Sequence, residues 1–352
     1  MTTPTTYPHD IALFIGRFQP FHNGHMGTVL KALEHGEFVV ILIGSADEPR
    51  SLKNPFTYEE RREMIAKSLD NDARVFFQPM HDELYCEESW QLNVVDSLDM
   101  AIHQIRRSTG GALSLTPKVT LVGYEKDKSS YYLQTFPQFG FTPVECTKVI
   151  NATDIRKDWY EFNLNFDTLP VPANVSDLLA DGQSTDWHGE LVSRLEFIKD
   201  YNRAWANTPY PVNFVCTDAV VLCRGSVLLV QRKNAPGAGL WAIPGGFLDP
   251  SETIAAGTKR ELLEETGLDL QKVWSTLLGQ KVFDAPERSM RGRIITHVSV
   301  FEVEPDSNGD LPAVVAGDDA AEAEWVRIGN IERAGMFDDH YHILQAVLAK
   351  GI

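Results

Sequence analysis

The stretch from Gly246 to Leu268 constrains the fold of this chain more than any other, because it has the form of a loop leading into one capped helix. Asp249 has a side chain that can cap a helix, and Pro250 suits the first helical position. Gly267 supplies the left-handed residue that ends many helices. Between these limits three side chains recur at helical spacing and would face a core: Ile254, Thr258 and Leu262.

Another face of this predicted helix carries three carboxylates, those of Glu261, Glu264 and Glu265. Like charges at this spacing cost roughly 0.2–0.5 kcal/mol per pair in an isolated helix, and nearby Arg260 offsets only part of that cost. A hard divalent cation with oxygen ligands would turn the repulsion into attraction. An isolated E-x-x-E-E is more often a solvated acidic face, so the flanking residues decide between the two interpretations.

The flanking residues complete a longer pattern. Gly246 is followed after five residues by Glu252, and after seven more by the run R-E-L-x-E-E-x-G-L that starts at Arg260. This pattern resembles the Nudix box, with every fixed position present. The resemblance implies an α/β/α Nudix domain that hydrolyses a nucleoside diphosphate linked to another group. It also implies Mg²⁺ or Mn²⁺ held by Glu261, Glu264 and Glu265, which offsets pyrophosphate charge and activates the attacking water.

The length and charge of the chain limit what else it contains. At 352 residues it is too long for one such domain, so two domains are expected. Hydrophobic residues make up 43% and charged residues 23%, as in an ordinary globular protein. The net charge of −17 argues against a nucleic-acid partner, because a phosphate-backbone binder needs a basic face. The negative charge does not exclude nucleotide substrates, since these bind together with magnesium.

The cysteines and the apolar segments predict a cytoplasmic protein with no membrane partner. The four cysteines form no C-x-x-C pair and are interpreted as reduced. The N-terminal residues have neither a basic nor an apolar signal region, so no signal peptide is predicted. The longest apolar run, Phe38 to Ile43, is far too short to span a bilayer.

The first half of the chain has the pattern of a parallel sheet. Apolar runs at Ile11–Ile15 and Phe38–Gly44 flank a helical pattern that begins at His25, which predicts a β-α-β unit. Further helix and strand patterns follow at Tyr58–Leu69, Val75–Gln78, Trp90–Arg106, Val119–Gly123 and Pro143–Cys146. We therefore predict a doubly wound, Rossmann-like α/β domain, whose ligands bind at the carboxyl ends of the strands.

Polar residues collect at two places on that predicted edge. After the first strand come Gly16 and Arg17, and then His22 and His25 just before a helix N-terminus, which is a natural seat for a phosphate. A second helix start, after the last strand, brings the hydroxyl of Thr153 and the guanidinium of Arg156. Because both lie at the same sheet edge, phosphate binding is favoured over a structural role for the histidines.

These residues belong to three matching motifs: G-R-F-Q-P-F-H-x-G-H from Gly16, N-P-F-T-x-x-E-R from Asn54, and T-x-x-R from Thr153. Residues 9–180 thereby resemble the archaeal-type nicotinamide mononucleotide adenylyltransferases of the H-x-G-H nucleotidyltransferase superfamily. The resemblance implies AMP transfer from ATP to the mononucleotide, giving NAD and pyrophosphate without a covalent intermediate. It assigns the triphosphate and the charge of the transition state to four side chains, through positioning and electrostatics: His22, His25, Arg17 and Arg156.

The resemblance also implies the rest of the first site. Trp90 would stack on nicotinamide, Asp82 would help to place that half of the site, and Gly16, Lys53 and Thr153 would contact substrate. Two residues depart from the family pattern. Asn151 stands where a serine is usual, and Lys53 where an arginine is common. Because lysine cannot make the bidentate contact of arginine, the sequence leaves open how tightly the site binds phosphate at position 53.

The domain limits follow from a change in composition. Proline- and asparagine-rich sequence at 161–183 closes the first domain, and Trp187–Ala206 has the pattern of a single helix. We predict a nucleotidyltransferase domain at 1–184, a connecting helix at 185–208 and a Nudix domain at 209–352. The connecting helix either joins the domains or pairs with a helix of another copy, which leaves a homo-oligomer open.

The second domain contains further candidate ligands beside the Nudix helix. It is predicted to start with a hairpin of Val212–Cys223 and Val227–Gln231 and to end with a helix at His340–Ala349. A basic island at 283–295 carries three arginines suited to pyrophosphate or ribose phosphate: Arg288, Arg291 and Arg293. A similar stretch occurs in Nudix proteins that act on ADP-ribose. The distal base that some Nudix enzymes use would be Asp319 or Glu322, before or at the start of the strand predicted at Ala323–Ile328.

The whole chain resembles bifunctional proteins of NAD metabolism that join such an adenylyltransferase to a Nudix ADP-ribose pyrophosphatase. The implied ligands are ATP, nicotinamide mononucleotide or its nicotinate analogue, NAD and ADP-ribose. One alternative is that the first domain adenylylates another phosphate ester, such as phosphopantetheine or flavin mononucleotide. Another is that the Nudix domain is an ADP-ribose sensor, although the sequence after Glu324 contains no basic winged-helix segment.

Overall fold

The chain folds into two compact units. A computed structural model describes residues 6–124, 135–144 and 150–349. The first unit comprises Met1–Glu83 and Glu87–Val192, and the second comprises Leu84–Cys86 and Ser193–Ile352. The division falls inside a helix at Asp186–Trp205, close to the bounds predicted for the connecting helix.

The first unit is built on a parallel sheet of five strands in the order β3-β2-β1-β4-β5. Its strands are β1 (His9–Gly16), β2 (Gly36–Ile43), β3 (Val75–Pro79), β4 (Val119–Gly123) and β5 (Gly140–Pro143). Its helices are α1 (Asn23–His35), α2 (Tyr58–Ser68), α3 (Glu87–Ser108), α4 (Ala152–Tyr160) and α5 (Ala173–Gly182). Successive side chains of β1 and β2 are buried on both faces, as parallel strands covered by helices require. The predicted doubly wound, Rossmann-like architecture is confirmed.

In this unit one segment contains a helix that the sequence analysis did not predict, and one predicted strand is misplaced. The proline- and asparagine-rich stretch contains helix α5, which begins directly after Pro172 and buries Val175 and Leu179 completely. Burial of these apolar side chains outweighs the weak helical propensity of the surrounding residues. The strand predicted at Pro143–Cys146 instead ends at Pro143, and Cys146 lies outside the described residues.

The second unit is a mixed sheet with helices on its two faces. Its strands are β6 (Asn213–Cys223), β7 (Ser226–Arg232), β8 (Trp241–Ala242), β9 (Gly245–Phe247), β10 (Ser275–Phe283), β11 (Arg293–Val303) and β12 (Ala320–Arg327). Helix α6 is Asp186–Trp205, α7 is Ile254–Thr266 and α8 is His340–Leu348. Ala219 and Val221 of β6 pack in one cluster with Leu262 of α7, whereas Val220 packs with Ile343 of α8. This alternation places α7 and α8 on opposite faces, so the predicted α/β/α Nudix fold is confirmed.

The helix of the Gly246–Leu268 stretch begins four residues later than expected. Thr253 caps it, with Oγ1 accepting from the N–H of Ala256 at 3.2 Å. Asp249 instead lies in a turn, where its N–H donates to the carboxylate of Glu252 at 2.9 Å. The helix ends as predicted at Gly267, whose φ of 67° is left-handed.

Two expectations about the whole chain can be compared with the described residues. Cys86, Cys216 and Cys223 are free thiols, as expected for reduced cysteines, whereas Cys146 lies outside the described ranges. No helix in the described part of the chain is both long and apolar enough to cross a membrane.

Candidate active sites

The first site is centred on two histidines that fix each other at the start of α1. His22 is the N-cap, and its Nδ1 accepts from the N–H of His25 at 3.3 Å. His25 Nδ1 accepts in turn from the N–H of His22 at 3.3 Å, and the two rings stack with centroids 3.6 Å apart. Gly24 leaves room for this arrangement, because a β-carbon there would lie 3.0 Å from the His22 ring. Because both Nδ1 atoms accept, each ring carries a proton on Nε2, where it can be donated to a ligand.

The electrostatics of the pair favour a neutral His25 ring. Burial, and next the neighbouring His22, lower the pKa of His25 well below its usual value. His25 is therefore uncharged at neutral pH. Its contribution to a bound phosphate is a directed N–H group together with the free N–H groups at the start of α1.

Arg156 is held at the same sheet edge by main-chain carbonyls. Its Nη1 donates to the carbonyl of Gln19 at 2.6 Å and its Nε to that of Leu52 at 3.2 Å. Nη2 contacts the hydroxyl of Thr153 at 3.2 Å. Burial, and to a lesser degree the positive charges around it including Arg17, lower the pKa of Arg156. The two predicted motifs, on α1 and α4, are thus brought together.

The two departures from the family pattern lie beside Arg156. Asn151 caps α4, with its side-chain oxygen accepting from the N–H of Thr153 at 3.0 Å, which is the role a serine could fill there. Lys53 is half-buried and follows Leu52, whose carbonyl accepts from Arg156. The asparagine therefore preserves the helix start, and the contact of Lys53 with substrate stays a prediction.

Arg17 and Asp82 both lie beside Gly44, at the carboxyl end of β2. A β-carbon at Gly44 would lie 3.4 Å from Arg17 Cγ and 3.6 Å from Asp82 Oδ1. Asp82 is fixed by the hydroxyl of Ser45, which donates to it at 2.6 Å. Trp90 packs against the core beside Phe136, with ring centroids 5.9 Å apart. Asp82 therefore lies near the phosphate side chains, whereas stacking of Trp90 on nicotinamide stays a prediction.

The sequence analysis missed two residues that hold the first site together. Arg61 is 1% exposed and donates to the carbonyls of Arg17 at 2.8 Å, Gly44 at 2.5 Å and Ser45 at 3.1 Å. Gln19 is buried and exchanges two hydrogen bonds with the main chain of Phe56. Both residues lie inside the matched motifs, so the sequence shows that they are present. Their hydrogen-bond partners lie in other loops, so the sequence alone could not show that they connect those loops.

The second site is a cavity of about 310 Å³ in the second unit. Five of the predicted residues line it: Glu261, Glu264, Glu265, Arg288 and Arg291. Arg293 is not among the described residues that line it, since it donates to the main-chain carbonyl of Asp284. Asp318 and Asp319 line the cavity, whereas Glu322 lies on β12 opposite Gln231. Position therefore favours Asp319 over Glu322 as the distal base, which stays a prediction.

The three glutamates are hydrogen-bonded to other groups of the protein. Arg260 Nη1 donates to Glu261 at 2.8 Å and to Glu264 at 2.9 Å, and Nη2 donates to Glu252 at 2.6 Å. Glu265 is 8% exposed and accepts from the N–H of Gly245 at 2.9 Å. Within residues 6–124, 135–144 and 150–349, no three acidic, histidine or cysteine side chains are close enough to form a ready metal cluster. The carboxylates therefore need to turn towards a cation on binding.

The donor set nevertheless fits a hard divalent cation. Eight carboxylates of the described residues line the cavity, and four of these lie on β6 and α7: Asp218, Glu261, Glu264 and Glu265. Burial raises the pKa of Glu265 to about 8 and that of Asp218 to about 6, because each lacks sufficient opposite charge. A cation bound among these oxygens would restore their ionised forms. A β-carbon at Gly246 would lie 2.5 Å from Glu261 Oε1, so the glycine of the Nudix pattern leaves the space that this carboxylate occupies.

The sequence analysis missed two acidic residues of the second site: Asp218, which lines the cavity, and Asp339, which pairs with the lining residue Arg288. Asp218 lies on β6 and accepts from the hydroxyl of Thr296 at 2.5 Å. Asp339, just before α8, accepts two hydrogen bonds from Arg288, at 2.8 and 2.9 Å, and one from the hydroxyl of Tyr85. No sequence pattern linked these residues, because they come from distant parts of the chain. Arg288 is thus already paired, which was not expected of a phosphate ligand.

The fold and the two sites define a two-domain nucleotide enzyme, and family comparison agrees with this class. The cytidylyltransferase-like family matches residues 13–158, and the NUDIX domain family matches residues 214–347. The structure is similar along its length to that of a bifunctional NMN adenylyltransferase/ADP ribose pyrophosphatase from Francisella tularensis, with 34% identity and a TM-score of 0.85 over 98% of this chain and 100% of that one. A second structure of that protein, with 33% identity and the same TM-score and coverage, contains AMP and a manganese ion.

Separate relatives match each half of the chain. A nicotinamide/nicotinic acid mononucleotide adenylyltransferase from Acinetobacter baylyi is 36% identical over 158 residues, which are 44% of this chain and 78% of the relative. An ADP-ribose pyrophosphatase from Methanocaldococcus jannaschii is 39% identical over 131 residues, which are 37% of this chain and 70% of the relative. The chain belongs to the family of bifunctional NMN adenylyltransferase/ADP-ribose pyrophosphatases.

Proposed function

We propose that this chain makes NAD in its first domain and hydrolyses ADP-ribose in its second. The first reaction transfers AMP from ATP to nicotinamide mononucleotide and releases pyrophosphate. The second cleaves ADP-ribose to AMP and ribose 5-phosphate. The single observation that carries the proposal is the presence, in one chain, of a stacked histidine pair at a helix N-terminus and a separate cavity lined by the three glutamates of the Nudix pattern.

In the first reaction a phosphate oxygen of the mononucleotide attacks the α-phosphorus of ATP. The bond from that phosphorus to the bridging oxygen breaks, and pyrophosphate leaves with the bonding electrons. The nucleophile is already an anion, so the residues position groups and balance charge rather than remove a proton. The His22–His25 pair donates N–H groups, and Arg17 and Arg156 supply positive charge to the triphosphate.

We assign the rest of the first site to the mononucleotide. Asp82, fixed by Ser45, lies beside Arg17 and is suited to the sugar or amide of the nicotinamide half. Gly16, Lys53, Trp90 and Thr153 complete the proposed contacts. The rate of NAD formation, compared with turnover of phosphopantetheine and flavin mononucleotide, tests the assignment. Faster turnover of either competitor would exclude it, and a parallel assay with nicotinate mononucleotide settles the preference between the two pyridines.

In the second reaction Glu261, Glu264 and Glu265 hold the cation, which we propose to be Mg²⁺ or Mn²⁺. When bound, the cation supplies charge neutralisation and an activated water. Arg260 keeps Glu261 and Glu264 on one side of the cavity, and the main-chain N–H of Gly245 orients Glu265. Asp319, held by the side chain of Asn234 at 2.8 Å, is the proposed distal base.

Chromatography of reactions with each dinucleotide tests the second activity. ADP-ribose should yield AMP with either metal, and NAD should be a poor substrate, because its hydrolysis would destroy the product of the first domain. Tight binding of ADP-ribose without release of AMP would indicate a sensor. We retain domain limits of 1–184, 185–208 and 209–352, and a cytoplasmic location, which the free thiols of the described cysteines support.

A further inference from the structure

Four arginines line the cavity of the second unit, and two of them are already neutralised by carboxylates. Arg260 pairs with the glutamates of the Nudix pattern, and Arg288 pairs with Asp339 through two hydrogen bonds. The other two are Arg232 and Arg291. Their Nη atoms have no hydrogen-bond or ion-pair partner within the described residues.

The turn that joins β7 to β8 fixes Arg232, a residue that the sequence analysis did not select. Its main-chain N–H donates to the carbonyl of Leu240 at 2.9 Å, and its side-chain Nε donates to that of Pro236 at 3.0 Å. The guanidinium lies 4.2 Å from the ring centre of Phe337. Gly237, with a φ of 83°, makes room for that ring, since a β-carbon there would lie 2.2 Å from it. These contacts use Nε and one face of the guanidinium and leave both Nη atoms for a ligand.

Arg291 approaches the same ring from a different loop. Its guanidinium lies 5.8 Å from the centre of Phe337 and 5.6 Å from the centre of Phe247. Its Nε is buried without a hydrogen-bond partner among the described residues. An aromatic face stabilises a cation but does not saturate its donors. Arg291 therefore brings unused N–H groups into the cavity beside those of Arg232.

The two guanidinium groups are close enough to affect each other. Burial, and next the charge of Arg291, lower the pKa of Arg232. Two cations held together in a partly enclosed space, with free donors, are stabilised by an anion that contacts both. A diphosphate suits them, because guanidinium groups bind phosphate oxygens with two parallel hydrogen bonds.

We infer that Arg232 and Arg291 bind the diphosphate of the substrate of the second site, while the glutamates of α7 hold the cation. This inference rests on the proposed function and changes which arginines are assigned to the substrate. It adds Arg232, retains Arg291, and gives Arg288 and Arg293 a structural role through Asp339 and Asp284.

The test uses full-length protein and the substitutions Arg232→Met and Arg291→Met. Arg327→Met is the matched control, because Arg327 is exposed and lies at the other end of the β7–β12 pair. Arg327 pairs with Ser226, whereas Arg232 pairs with Ala320. ADP-ribose binding is measured by calorimetry in EDTA, which prevents turnover. Each cavity variant should weaken binding by about tenfold or more, the loss expected for a charge-assisted hydrogen bond, and the control should stay within about twofold of wild type.

Lysine variants keep the test informative if a methionine variant fails to fold. Arg232→Lys and Arg291→Lys preserve the charge but not the bidentate contact, so their affinities should lie between those of wild type and the methionine variants. NAD formation by the same preparations reports on the first domain and should not change. Wild-type affinity in folded variants of either arginine would overturn the inference. If wild-type protein released no AMP with either metal but its ADP-ribose binding depended on both arginines, the proposed hydrolysis would fail and the inference would stand.

Discussion

In the first site Arg61 and Arg156 are fixed by main-chain carbonyls, whereas in the second site Arg260 and Arg288 are fixed by carboxylates. Arg61 and Arg156 donate to neutral carbonyls, so their positive charge remains available to an anion. In the second cavity Arg260 occupies oxygen atoms of Glu261 and Glu264, which a cation would have to share or displace. The first site is therefore organised before its substrate arrives, and the second becomes organised when a cation binds.

The starts of the two functional helices show the same difference. In α1 the capping residues His22 and His25 are also the proposed catalytic groups, so one set of atoms serves both structure and chemistry. In α7 the cap is Thr253, two turns before Glu261, the first of the proposed metal ligands. Structure and chemistry are separate there. Substitutions can measure this contrast.

The largest effect is expected from the glutamates of α7. Glu261→Gln, Glu264→Gln and Glu265→Gln should each lower ADP-ribose hydrolysis by about a hundred- to a thousandfold, since a bound metal contributes several kcal/mol to the transition state. NAD formation should remain within about twofold of wild type. Both rates are measured on the same preparation in excess Mg²⁺. Loss of both activities from folded protein would mean that the two sites are coupled.

His25→Ala should produce the opposite result. Removing one preorganised donor at a developing charge costs about a hundredfold or more in kcat, and here the partner His22 also loses its stacked ring. ADP-ribose hydrolysis should stay unchanged. Steady-state rates of NAD formation measure the loss. A rise in KM for ATP with normal kcat would instead assign His25 to ground-state binding.

Arg61→Met should destabilise the first domain by about 3 kcal/mol, because it removes charge-assisted hydrogen bonds and leaves buried carbonyls unsatisfied. Arg62→Met is the matched control: its guanidinium is exposed, so the change should stay within about 0.5 kcal/mol. Unfolding in urea can be followed by the loss of each activity, since each reports on its own domain. Unchanged resistance of NAD formation to urea would refute the bracing role of Arg61.

The sequence predicted contacts between residues that are close along the chain better than contacts between residues that are far apart along it. The motifs specify local geometry. From the sequence alone, His22, His25 and Arg156 are therefore predicted at one edge of the parallel sheet, and Gly267 at the end of α7. Contacts between distant segments had no such signal. Nothing near Arg288 indicated that Asp339 would neutralise it, because that pair depends on how α8 packs on the sheet.

The same limit explains errors inside the motifs. Asp249 and Pro250 satisfy every local rule for a helix start, yet Glu252 is drawn to Arg260, eight residues further on, and holds residues 249–252 in a turn. The Nudix pattern predicted which side chains would be present. It could not predict that a turn at residues 249–252 would move the start of α7 to Thr253.

Thr253→Ala should have the smallest effect and tests the separation of structure from chemistry in α7. Loss of the Oγ1 cap should lower the stability of the second domain by about 1 kcal/mol, while the hydrolysis rate of the folded protein stays within about twofold. Asp249→Ala should leave stability unchanged within about 0.5 kcal/mol, because its side chain does not cap the helix. Urea unfolding followed by ADP-ribose hydrolysis measures both variants. In α1 the equivalent change, His22→Ala, removes the cap and a catalytic group together, so stability and NAD formation should fall in the same variant. A large loss of hydrolysis in folded Thr253→Ala protein would show that α7, like α1, couples its cap to its chemistry.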